Sequence, residues 1–180
     1  MLKVASYDIV FQEIPGEVTL ALNLSNCPCH CPGCHSPHLA EDIGEELTPE
    51  LLDGLIEQYA GLITCVCFMG GDADPAEVLR LAEHIQMVNG KCTNGTLHVA
   101  WYSGRPALPE CLSAKRSVSE TVCQRSGLSG VAGPFDYIKL GPYIESLGGL
   151  KSEKTNQRLY KRVGQNWEDI TALFWQKRFE

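Results

Sequence analysis

Four cysteines fall within eight residues, in the stretch Cys27-Pro28-Cys29-His30-Cys31-Pro32-Gly33-Cys34-His35. Two prolines and a glycine in that window exclude both a regular helix and a regular strand, because proline removes a backbone donor and clashes with the turn before it. The segment is a loop whose thiols converge, and the rest of the chain must be a scaffold that presents it. Thiolates that converge in a reducing compartment hold a metal or a cluster. The chain has nine cysteines, an odd number with four crowded into one loop. That pattern suits a reducing cytoplasm better than a secreted disulfide framework.

Strand and helix signals alternate on either side of the loop. Val4–Phe11 and Val18–Leu24 read as strands separated by Pro15-Gly16, and the second leads straight into the cysteines. Thr48-Pro49-Glu50 opens a helix: threonine caps, proline suits the first helical position, and glutamate favours the positive end of the dipole. Leu62–Met69 is a nearly unbroken apolar run between Gly61 and Gly70, as a strand covered on both faces requires. Asp74–Val88 then predicts a helix stopped by Asn89-Gly90. Further strands are predicted at Leu97–Tyr102 and Phe135–Leu140, a short helix at Leu108–Lys115, an edge strand at Arg158–Val163 and a closing helix at Glu168–Lys177.

This rhythm predicts an α/β domain built on parallel strands. Ligands in such sheets sit at the carboxyl ends of the strands. Four segments share that rim here: the cysteine loop, Gly70-Gly71-Asp72, Tyr102-Ser103-Gly104 and Gly141-Pro142. The 180 residues suit a single domain, 1–180, with residues 145–180 as a C-terminal extension packed on or near it.

Charge is divided along the chain. Residues 4–79 hold 13 acids and no Lys or Arg, whereas residues 80–180 hold 14 basic and 9 acidic groups. The acids from Glu41 to Glu57 form either a solvated helix face or a surface that steers a positively charged partner. Nucleic acid is disfavoured as a partner of the first half. There is no run of about 18 apolar residues, so no membrane partner is expected. Met1–Asp8 lacks the pattern of a signal peptide, and a cytoplasmic location is expected.

Cys27, Cys31 and Cys34 stand in C-x3-C-x2-C spacing. Three thiolates on a tight loop can hold three irons of a cubane and leave the fourth open, unlike the ferredoxin run in which cysteine caps every iron. Structural zinc usually pairs two short ligand units across a gap, and it stays the plain alternative. Cys65 and Cys67 would share one face of a buried strand and read as small apolar packing. Cys92, Cys111 and Cys123 read as bystanders, and His30 and His38 as solvated.

The triad followed by Gly-Gly-Asp after a later strand resembles the radical S-adenosylmethionine superfamily. Within it, Cys31-Pro32-Gly33-Cys34-His35-Ser36 is similar to the CxGC(H/Y)N segment of the activating proteins of anaerobic ribonucleoside-triphosphate reductase. Phe68-Met69-Gly70-Gly71-Asp72 resembles their SGGDP segment. Phe135–Ile138 with Gly141–Ile144, and Thr155–Arg158, follow their DxxxxGPF and NQR segments in order. Departures are the additional thiol of Cys29, Ser36 in place of Asn, Ala73-Asp74 before Pro75, and Lys139-Leu140 in place of Val-Asp.

The resemblance implies a partial (βα) barrel of mainly parallel strands with outer helices and the cluster loop after an early strand. It implies a [4Fe-4S] cluster on Cys27, Cys31 and Cys34, with S-adenosylmethionine held by Gly33, Cys34, His35, Gly70, Gly71 and Asp72. His35 would pack against the adenine, or else be an ordinary surface or core histidine. It also implies a large glycyl-radical reductase subunit as partner and a flavodoxin or ferredoxin as electron donor. Two other functions stay open: a radical enzyme acting on a small 7-deazaguanine precursor, and a zinc-binding interaction module without catalysis.

Overall fold

A computed structural model describes residues 1–92, 97–107 and 133–176. Strands β1 (Lys3–Val10) and β2 (Thr19–Leu24) pair antiparallel, and the two-residue β3 (Glu45–Glu46) pairs antiparallel with β1 on its outer side. From β2 the sheet continues in parallel through β4 (Cys65–Met69), β5 (His98–Tyr102) and β6 (Tyr137–Leu140). It ends with β7 (Arg158–Val163) and β8 (Asn166–Asp169), both antiparallel to their neighbours. The order is β3-β1-β2-β4-β5-β6-β7-β8. The architecture is mixed α/β, with a parallel centre and antiparallel flanks.

Helix α1 (Pro49–Gln58) connects β2 to β4, and α2 (Pro75–Cys92) follows β4. Thr48 caps α1 as expected: its Oγ1 accepts from Leu51 N at 3.2 Å, with Pro49 in the first turn. Asp74 Oδ1 likewise accepts from Glu77 N at 3.2 Å at the start of α2. Leu52, Leu55 and Ile56 of α1 and Val78, Leu81, Ala82 and Ile85 of α2 pack on one face of the sheet. They meet Leu20, Leu22, Leu24, Val66, Phe68, Val99, Trp101 and Ile138 there. Side chains alternate across a strand, so Cys65, Cys67, Ala100 and Tyr137 face the other way. Ile14 of the β1–β2 connection, Leu150, Leu159, Ile170 and Phe174 cover that second face.

Several boundaries differ from the sequence reading. Leu62 is exposed, and the strand starts only at Cys65, after Gly61 turns at φ +79°. Helix α2 runs past Asn89-Gly90 to Cys92. Arg158–Val163 is an inner strand, not an edge. Val163 pairs with Asn166 around the two-residue loop Gly164-Gln165, with Gly164 at φ +62°, which folds β8 back as the true edge. The closing helix expected over Glu168–Lys177 is absent from its described part: Glu168 and Asp169 are strand, and Thr171–Phe174 forms one 3-10 turn. The short helix expected at Leu108–Lys115, along with Cys111 and Cys123, lies outside the described residues. No helix among the described residues is long and apolar enough to cross a membrane.

Candidate functional site

The parallel register ends β2, β4, β5 and β6 at one level, because Asn23 lies beside Met69, Met69 beside Tyr102, and Tyr102 beside Lys139. The segments that leave these ends therefore share the rim that the strand pattern predicts.

The cysteine loop is tied at its neck. Cys27 N donates to Leu39 O at 2.9 Å, Asn26 N to Glu41 O at 3.1 Å, and Ser25 Oγ to Ile43 O at 2.7 Å. Inside the neck the chain curls through the left-handed region at Asn26 (φ 59°), His30 (φ 43°) and Gly33 (φ 72°). Cys34 N closes a turn onto Cys31 O at 3.1 Å. Cys27, Cys29, Cys31 and Cys34 are all partly exposed.

The thiols do not all point the same way. Cys29 Sγ lies 3.7 Å from Asp72 Oδ2 and within hydrogen-bonding reach of Cys27, with Cys31 close enough to act on its charge. Burial first, then Asp72 and Cys27, push the Cys29 thiol up to about 12. Cys34 Sγ instead accepts from Ser36 N at 3.4 Å. Gly33 and His35 are exposed.

Asp72 is 1% exposed and holds two strand exits together. Its carboxylate accepts from Ser103 Oγ at 2.5 Å and from Gly104 N at 2.8 Å, and Arg105 Nη2 donates to its backbone carbonyl at 2.8 Å. The two glycines before it differ in role. Gly70, at φ +104°, is half-buried; it donates to Tyr102 O at 2.9 Å and accepts from Trp101 Nε1 at 2.6 Å. Gly71, at φ +83°, is buried, and a Cβ on it would lie 2.5 Å from Val78 Cγ2. Packing against α2 thus explains Gly71 without any ligand.

Lys139 is the group the sequence reading passed over, noted there only as a departure from the family pattern. A lysine inside an otherwise apolar strand was the available signal, since buried lysines are rare. It is 7% exposed and donates to Gly141 O at 2.7 Å and Ser103 O at 3.3 Å. Burial lowers it to about 8, against the pull of Asp72, Cys31, Cys29 and Cys27 toward the charged form. A cation is therefore built into the rim beneath three of the four thiols. Beyond Lys139, Asn156 Nδ2 donates to Pro142 O at 2.9 Å and Gln157 Nε2 to Gly141 O at 3.4 Å, fastening the segment after β6. Glu145 of that segment lies against Gly33, where a Cβ would sit 3.2 Å from its Cδ.

Among the described residues no three His, Cys, Asp or Glu side chains stand ready to close on a metal ion. The donor chemistry still suits an iron–sulfur cluster. Soft thiolates on a curled loop are its usual ligands, and Lys139 offsets the negative charge that such ligands gather. A cleft of about 200 Å³, lined by Gln12, Pro15, Lys151, Leu173, Phe174 and Gln176, is formed away from the rim by the β1–β2 connection and the C-terminal segment. No protein-family model matches the chain, and neither a curated protein nor a solved structure does.

Proposed function

We propose that this protein is a radical S-adenosylmethionine activase that generates a glycyl radical on an anaerobic ribonucleotide reductase. The observation that carries the reading is the shared rim: a cysteine loop leaves β2 beside Gly70-Gly71-Asp72 at the end of β4 and Ser103-Gly104 at the end of β5. In this reading the parallel centre is part of a partial (βα) barrel, and the protein works in the cytoplasm with a flavodoxin or ferredoxin as electron donor.

Cys27, Cys31 and Cys34 would hold a [4Fe-4S] cluster. When bound and reduced, such a cluster supplies the electron that splits S-adenosylmethionine into methionine and a 5′-deoxyadenosyl radical. The protein binds, orients and shields the reactants. The exposed carbonyl edge at Gly70, free of a side chain, offers acceptors to the substrate ammonium. Asp72 acts from behind, keeping the β4 and β5 exits in register through Ser103 and Gly104. Lys139 supplies fixed positive charge next to the thiolates. Gly33 and His35 lie on the exposed side of the loop, where an adenine can lie over them.

Anaerobic reconstitution with iron and sulfide tests the reading. The expected result is bound iron and sulfide, and release of methionine and 5′-deoxyadenosine from S-adenosylmethionine after reduction. A glycyl radical should then form on a co-expressed reductase. A protein that takes up only zinc, or that yields neither product, overturns the reading and favours the zinc-binding module.

A further inference from the structure

Cys29 falls outside the three-ligand set, yet it is the loop thiol hydrogen-bonded to the rim of the sheet. Its sulfur rests on Gly104, where a Cβ would lie 2.6 Å from Sγ and 3.3 Å from the Cys29 Cβ. Gly104 does not have the positive φ that would itself call for glycine. The constraint at Gly104 is the approach of this sulfur. The other side of the seat is Asp72 Oδ2, 3.7 Å away on a carboxylate that is 1% exposed and anchored by Ser103 and Gly104. Cys27 is within hydrogen-bonding reach of the same thiol. Cys29 thus has a shaped seat next to one proposed ligand, and it is two residues from both Cys27 and Cys31.

We infer that Cys29 is a fourth thiolate of this site, bound to the iron that Cys27, Cys31 and Cys34 leave open, and that it withdraws to its seat on Gly104 and Asp72 when S-adenosylmethionine binds. This rests on the radical reading above. The exchange balances internally. The bond from iron to the Cys29 sulfur breaks as the amino nitrogen and a carboxylate oxygen of the substrate bond to that iron. The substrate ammonium gives up one proton and the departing thiolate takes up one, so no electron or outside acid is required. The S–H so formed donates to Asp72, the arrangement observed. Before substrate arrives, the thiolate keeps the fourth iron from being lost to solvent.

The test uses the reconstituted wild-type protein, alkylated anaerobically with iodoacetamide and mapped by peptide mass, with and without S-adenosylmethionine. Cys29 should be protected in the absence of substrate and labelled severalfold more in its presence. Mild oxidation supplies a second readout: Cys29→Ala should lose one iron to give a [3Fe-4S] form, whereas the wild type keeps four irons. Gly104→Ala fills the seat, and it should bind S-adenosylmethionine severalfold more weakly at unchanged iron content. Equal Cys29 labelling in both states, or equal iron loss from wild type and Cys29→Ala, overturns the inference while leaving the cluster reading intact. Absence of iron and sulfide from the wild type overturns both.

Discussion

Cys65 and Cys67 on β4 and the four cysteines of the loop after β2 are the same residue placed in opposite settings. Both strand cysteines are fully buried, and each thiol has a neighbour close at hand, Val66 O at 3.7 Å for Cys65 and Met69 Sδ at 3.4 Å for Cys67. The period of two along a strand sends them to one face, where they serve as small apolar groups. The loop cysteines are also closely spaced, but Asn26, His30 and Gly33 bend the backbone through positive φ. That curl turns Cys27, Cys29 and Cys31 toward Asp72 and Lys139. Backbone conformation, more than cysteine content, separates packing thiols from ligating ones.

The largest break in this comparison is expected from Cys31→Ala, which should abolish iron and sulfide binding, while Cys67→Ala leaves both unchanged. Metal and sulfide analysis after identical reconstitution decides it, and equal losses would refute the division. Asp72→Ala comes next. It strands Ser103 Oγ and Gly104 N in a buried site, at a cost of about 3 kcal/mol by urea unfolding of the metal-free protein. Gly71→Ala should cost about 2 kcal/mol, since the new Cβ meets Val78 at 2.5 Å and the positive φ penalises any side chain. Cys67→Ala removes only a sulfur from a close-packed face, at about 1 kcal/mol. His35→Ala, on the exposed side of the loop, should stay within about 0.5 kcal/mol of wild type.

The elements that were legible in the chain are those set by local signals. The apolar run before Gly70, the Thr48-Pro49 cap and the strand leading into Cys27 each state their conformation within a few residues, and together they foretold the shared rim. Contacts made across the fold were not legible. Cys29 looked like a surplus thiol because its partner Asp72 is 43 positions away. Lys139 looked like a departure from a motif until its ammonium was found capping Gly141 O and Ser103 O. The tail misled for another reason. Leu173, Phe174 and Trp175 suggest a helix face, but Phe174 packs on the second face of the sheet and Trp175 Nε1 donates to Leu150 O at 2.9 Å. The hairpin at Gly164-Gln165 had already turned the chain into β8.

The smallest effect sharpens the same contrast through pH. Burial, with Glu13 adding to it, raises Cys67 above its usual 9.0. Below pH 9 both folded and unfolded chains keep that proton, and its contribution to stability is fully present. Above pH 9 the unfolded chain releases a proton that native Cys67 retains, so the native state binds more protons and stability falls as pH rises. Lys139 acts in the opposite sense. Its proton leaves the native state at about 8 and the unfolded chain at 10.5, so stability rises between those values. In metal-free protein, Cys67→Ala should therefore lose less stability on going alkaline than wild type does. The difference should reach about 1 kcal/mol by about pH 10, read as the shift between urea midpoints of the two proteins. Parallel midpoint curves would mean that Cys67 is solvated in the native state, and the strand thiols would then no longer stand apart from those of the loop.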